Sequence, residues 1–101
     1  MSAHAAVIEV DVRGVDREQG LKGLREQIVP AVKRMPGFRA GVWLPGDGEG
    51  RGFSLTVWDT ESQAQAMAAR FGAGSNPAAA ATVVRCEVRQ VVALEGIAGP
   101  C

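Results

Sequence analysis

The sequence has no tyrosine, one histidine and two cysteines, and each shortage closes off a kind of chemistry. Without tyrosine there is no phenolic hydroxyl to donate a proton or anchor a ligand. Cys86 and Cys101 with His4 are too few to build a zinc site, and two cysteines so placed make no disulfide framework. Cys86 reads as a small buried hydrophobe within a strand, Cys101 as an exposed thiol. His4 precedes the first strand and reads as an exposed residue rather than a ligand. Formal net charge is zero, with 11 basic and 11 acidic residues. The two lysines, Lys22 and Lys33, sit apart, so no basic patch invites nucleic acid. No apolar run is long enough to span a bilayer, and the opening residues 1–6 lack the charged and apolar regions of a signal peptide. A cytoplasmic location is the expectation. At 101 residues the chain is expected to be one domain, with an ordered core over about 6–94 and a loose tail at 95–101.

What the sequence does have is alternation. In a strand, residues two apart share a face. Four stretches follow that rule. The first groups Ile8, Val10 and Val12 against Glu9, Asp11 and Arg13. The second sets Phe38, Ala40, Val42 and Leu44 against Arg39, Gly41 and Trp43. In the third, Phe53, Leu55 and Val57 oppose Ser54, Thr56 and Trp58. In the fourth, Val84, Cys86 and Val88 oppose Arg85, Glu87 and Arg89. Both tryptophans thus fall with the charges, and all three phenylalanines with the apolar set.

Between the strands lie two helical patterns. Asp16 is the expected N-cap of the first, with Gln19 at the capping-box position. Leu21, Leu24, Ile28, Val32 and Met35 follow at helical spacing. Pro30 lacks the amide that would bond Glu26, which predicts a kink, or an end near Val29 followed by a short turn. Pro36-Gly37 stops the element. Thr60 and Gln63 form a capping box for the second helix, whose apolar stripe is Ala64, Met67, Ala68 and Phe71. Residues 45–50 are a glycine-rich loop joining two strands; without a following helix or a lysine this is a hairpin, not a phosphate cradle. Asn76-Pro77 predicts a turn, 78–81 a single helical turn, and strand four starts near Val83 and extends as far as Leu94.

The order is strand, helix, strand, strand, helix, strand. That is an α+β, ferredoxin-like βαββαβ sandwich, a four-stranded antiparallel sheet with two helices on one face. The other face would meet water. Two tryptophans there would each leave roughly 150–250 Å² of burial unused. A two-fold homodimer with open faces packed together, forming an α/β barrel, removes that exposure. Its interior would hold Trp43, Trp58, Thr56, Ser54, Arg39, Glu9, Asp11, Arg85, Glu87 and Arg89. Glu9 and Asp11 could pair with Arg85 and Arg89 across the strand-one/strand-four ladder. Two readings stay open: ion pairs and indoles that hold a dimer together, or the walls of a pocket for a small planar molecule.

Two segments resemble a known superfamily. Met35-Pro-Gly-Phe-Arg-Ala-Gly-Val-Trp, entering strand two, and Leu55-Thr-Val-Trp-Asp-Thr-Glu-Ser, ending strand three, are similar to the dimeric α/β-barrel superfamily, and closest to its antibiotic-biosynthesis monooxygenase group. The resemblance covers about 6–94. It implies a cofactor-free oxygenase in which a bound phenolic substrate is deprotonated and itself reduces dioxygen, with Trp58 shaping the pocket. Haem-degrading relatives use a histidine in the second helical region; residues 61–81 contain none, so no cofactor is expected, and no metal.

Chemistry in such a cavity needs a base. Glu9, Asp11 and Glu87 are the acidic residues on the expected inner face. Desolvation by a tryptophan would raise a carboxylate toward the range useful for a phenolic proton, and a neighbouring arginine would lower it again. Arg85, Arg39 or Arg89 would stabilise a developing anion. The expected catalytic set is Glu9, Asp11, Glu87 and Arg85. The expected ligand set is Trp58, Trp43, Arg39, Thr56, Ser54 and Arg89. A dimeric binding protein without turnover, or an accessory dimer, is the alternative.

Overall fold

The computed structural model describes residues 3–72, 74 and 81–96. The turn expected at Asn76-Pro77, most of the helical turn over 78–81, and Cys101 lie outside them. Four strands, β1 (His4–Asp11), β2 (Phe38–Leu44), β3 (Arg51–Trp58) and β4 (Thr82–Gln90), make one antiparallel sheet in the order β2-β3-β1-β4. This is the ferredoxin-like arrangement the element order implied. β1 includes His4, which was expected to precede it, and ends at Asp11, before Val12 and Arg13; β4 stops at Gln90, short of Leu94. No helix among the described residues is long and apolar enough to cross a membrane.

The first helical segment runs without a break through three geometries: α1 (Arg17–Gly23), a π turn (Leu24–Ile28) and α2 (Val29–Lys33). Asp16 caps its start by accepting the Gln19 amide N–H at 3.1 Å. The π turn is the fold's answer to Pro30. By widening the helix so that the Val29 amide bonds the Leu24 carbonyl, it sets Pro30 in the first turn of a new α segment. There a missing N–H costs little. The expected kink or stop is therefore replaced by a bulge.

The helix α3 (Glu61–Arg70) opens on a complete capping box. Thr60 Oγ1 accepts the Gln63 amide at 3.2 Å, and Gln63 Oε1 accepts the Thr60 amide at 3.1 Å. Gly37, at φ 84°, lies hard against that Gln63 amide group, so the turn before β2 and the start of α3 admit only glycine there.

The core lies between the sheet and α2 and α3. It comprises Ala6, Ile8, Trp58, Val83, Val32, Ala64 and Met67, with Val10, Phe38, Trp43, Cys86 and Val88 packed on it. β1 and β4 present the faces that alternation predicted, except that Val84 falls in a bulge and Val83 takes the core position. β2 and β3 do not.

In β3 the helices cover Ser54, Thr56 and Trp58, while Phe53 and Leu55 stand exposed on the open face. β2 bulges at Arg39, between Phe38, which stays in the core, and Ala40. From there Gly41 and Trp43 pair with Thr56 and Ser54 on the helix side, and Ala40, Val42 and Leu44 turn outward. The physical reason is a hydrogen bond. The Trp58 indole N–H donates to Thr56 Oγ1 at 2.9 Å, so the largest side chain can be fully buried with its one polar atom satisfied. The hydroxyl face is the inside face because the tryptophan needs it.

Candidate functional site

The turn of β2 and β3 gathers the aromatic side chains on the helix side. Phe38 stacks on Trp43 at 6.5 Å between ring centroids and meets Trp58 edge-on at 5.6 Å. Gly41 makes this possible: a Cβ at that position would lie 2.5 Å from the far edge of the Trp43 ring. The indole of Trp43 therefore lies back along the strand rather than standing up from it.

Above this floor α1 buries none of its residues, and neither does the π turn. Leu21 and Leu24 face the sheet across a cleft of about 610 Å³, while Ile28, at its inner end, packs on the core. The floor is Ile8 and Val10 from β1 with Val12 just beyond it, Trp43 from β2, Ser54 from β3 and Val83 from β4; Met67 of α3 and its C-cap Phe71 close one side. Residues 45–50 of the hairpin loop form the rim opposite α1. The rim is tied down. Val12 N–H donates to Gly50 O at 2.8 Å, and Arg17 Nη1 donates to Gly46 O at 3.2 Å. A cavity of this volume, with apolar walls and few polar groups, has the usual form of a small-molecule site.

Charged groups sit at the mouth: Arg13, Arg17, Asp47 and Glu49. Asp47 accepts the backbone N–H groups of Glu49 at 2.8 Å and Arg51 at 3.0 Å, which hold its carboxyl below the usual carboxylate range. It is an ionised loop brace.

The expected site residues are thereby divided between the two sides of the sheet. Trp43 and Ser54 line the cleft; Trp58 and Thr56 lie buried beneath its aromatic end. This corrects the expectation that all four face the open side. Glu9, Asp11, Glu87, Arg85 and Arg89 are on the open side, as the alternation implied. They do not meet the tryptophans, because the sheet lies between. Arg39, at the β2 bulge, pairs with Asp59 at 3.5 Å.

On that open side the charges form one ladder. Arg51 lies 3.6 Å from Asp11 and 3.8 Å from Glu9; Arg85 lies 3.9 Å from Glu9 and 3.5 Å from Glu87; Arg89 holds Glu87 at 2.8 Å. The expected Glu9–Arg85 pair is present, while Asp11 turns to Arg13 at 2.6 Å. Hydrogen bonds from the Arg13 side chain and backbone lower the Asp11 pKa from 3.8 to about 2, against a small opposing effect of desolvation. In the contest between arginine and burial, arginine wins at this carboxylate.

The sign follows from that shift. A carboxyl whose folded pKa is depressed stabilises the fold above its ordinary pKa and loses that contribution as pH falls through the folded value. The stability gap between the wild type and Asp11→Asn is expected to be full above about pH 4 and to close toward pH 2, read by denaturant unfolding at stepped pH. A gap independent of pH would contradict the assignment.

Beside the ladder, the β2–β3 half of the open face is apolar. Val42 is 47 % and Leu44 54 % exposed, with Phe53 and Leu55 next to them. Sequence reasoning assigned these to the core and so missed both the apolar open face and the cleft. The Arg39 bulge was the signal, and it has no compositional mark.

No family model and no curated protein sequence matches the chain significantly. Solved structures do. A haem-degrading protein from Mycobacterium tuberculosis, solved haem-free, shares 24% identity at a TM-score of 0.61, over 94% of this chain and 97% of its own. A protein of unknown function from Nitrosomonas europaea shares 18% at a TM-score of 0.64, over 98% of both chains. The chain shares their ferredoxin-like fold. The M. tuberculosis protein, there called MhuD, solved with two haems bound in its active site, superposes at a TM-score of 0.58 with 24% identity, over 92% of this chain and 99% of its own. At these identities the likeness to the superfamily is one of fold. Both segments that resembled it in sequence lie where the fold needs them, one entering β2 and the other ending β3 and capping α3.

Proposed function

We propose that the chain is a small-molecule-binding protein of the monooxygenase-like kind, and that its ligand occupies the helix-side cleft. The observation that carries this is the stand-off at α1: Leu21 and Leu24 face an apolar, aromatic floor across about 610 Å³, and neither is buried against it. Unfilled, that surface would cost burial worth roughly 25 cal/mol per Å². A planar, mostly apolar molecule lying against Trp43 recovers it. Superfamily structures that degrade haem lend the reading support.

Haem itself fits poorly. Among the described residues the cleft lining contains no histidine, cysteine or tyrosine, and the chain's one histidine, His4, starts β1 opposite Trp58 and Gln90. The substrate class we favour is an aromatic or quinol-type compound, whose deprotonated form carries the electrons that dioxygen takes up. The chain's part is to bind the ring, exclude water and hold its orientation. Binding without turnover is the second reading, favoured by the distribution of acids: Asp47 and Glu49 sit at the mouth, and Glu9, Asp11 and Glu87 lie across the sheet.

The open face is proposed as the homodimer face. Its apolar half would pack against a second copy, and its ion-pair ladder would hold register rather than catalyse.

Oxygen uptake with 1,4-naphthohydroquinone tests the enzymatic reading. The wild type is expected to consume oxygen above the buffer rate, and Trp43→Ala to lose at least tenfold of that excess. Equal rates in protein and buffer, with naphthol still quenching tryptophan fluorescence, would leave binding without turnover as the function.

A further inference from the structure

We infer that Ser54 is the polar anchor of the cleft, the group that orients a ligand by one hydroxyl or carbonyl oxygen; the inference rests on the cleft reading above. Ser54 is 9 % exposed and lies on the cleft floor, opposite Ile8 on one neighbouring strand and Trp43 on the other. Among the described residues its hydroxyl has no hydrogen-bond partner, yet its oxygen is not sealed off among the buried unsatisfied atoms. Its neighbour on the same face, Thr56, differs on both counts. Thr56 is fully buried and its oxygen is taken by the Trp58 indole. One hydroxyl on this face is committed to the fold, and the other is open to the cleft.

A nearly buried hydroxyl facing an otherwise apolar floor discriminates sharply between ligands. A ligand that offers it an oxygen completes a bond, while a purely apolar one leaves the group unpaired. The ligand class is then narrower than a planar apolar molecule: it carries a phenolic hydroxyl or ring carbonyl at one end of the ring system. With that oxygen on Ser54, the ring extends over Trp43 toward the α1 stripe.

The test uses 1-naphthol and naphthalene as a matched pair, titrated by tryptophan fluorescence against the wild type, Ser54→Ala and Ser54→Thr. The wild type is expected to bind naphthol about five- to tenfold more tightly than naphthalene, the value of one net hydrogen bond. Ser54→Ala is expected to abolish that preference, binding naphthol more weakly and naphthalene at least as tightly as the wild type, and Ser54→Thr to retain it. A Ser54→Ala protein that keeps the preference overturns the anchor while leaving the cleft intact. If the wild type binds neither compound, the cleft reading falls and the anchor with it. Should Ser54→Ala not fold, an unchanged Ser54→Thr preference supports the anchor, and a wild type without preference rejects it.

Discussion

Trp58→Ala is expected to cost about 3–5 kcal/mol, the range for emptying a fully buried tryptophan site. Trp58 is 0 % exposed and packs with Phe38 and the Met67 core; its indole also satisfies Thr56. The deletion removes the ring contacts and orphans a buried hydroxyl together, and each is a recognised route to a large loss. For a domain of this size that is a large share of the total, and each kcal/mol moves the midpoint by roughly 4–8 °C. Trp58→Phe keeps most of the volume and is expected to lose less than half as much. Urea unfolding at two protein concentrations is the measurement. A loss under about 1 kcal/mol in Trp58→Ala would mean that the tryptophan does not hold the core.

The second large effect concerns assembly. Leu55→Arg puts a charge in the middle of the apolar half of the open face, beside Val42 and Val7 in the strand register. Leu55 is already exposed within one subunit, so the fold itself should tolerate the change. In a two-fold interface the charge is buried twice, and an unpartnered ion buried there costs several kcal/mol. Sedimentation velocity at micromolar concentration is expected to give a dimer for the wild type and a monomer of about 10.6 kDa for the variant. Equal sizes for the two would remove the open face from the assembly.

The sequence made the fold legible because its caps, breakers and element order agree with one another. Asp16, the Thr60–Gln63 box and Pro36-Gly37 all act where their chemistry puts them. β1 and β4 were readable for a second reason, since each has one charged face and one apolar face. β3 carries hydroxyls and an indole on one face and large aliphatics on the other. Period two says which residues travel together, and it is silent on which set the helices cover. Polarity suggested the wrong set, because Thr56 Oγ1 is inside for the sake of the Trp58 indole. In β2 a single bulged residue, Arg39, reverses everything after Phe38. Two faces were exchanged, and the expected site was split with them. The cleft was invisible for a related reason: a helical stripe such as Leu21, Leu24 and Ile28 looks the same whether it packs on a sheet or stands away from one.

The π turn carries a lesson of the same kind. Proline inside a helical pattern predicts an interruption, and the chain absorbs it by spending one extra residue in a widened turn. The wall of the cleft is built from that turn, so the break and the site share an origin.

The most direct test is to locate a heavy-atom ligand in a crystal. With 4-bromo-1-naphthol bound, the account predicts bromine anomalous density between Trp43 and the Leu21–Leu24 stripe, with the ligand oxygen within hydrogen-bond distance of Ser54 Oγ. Density between the charged outer surfaces of two subunits, beside Glu9 and Arg85, would contradict it.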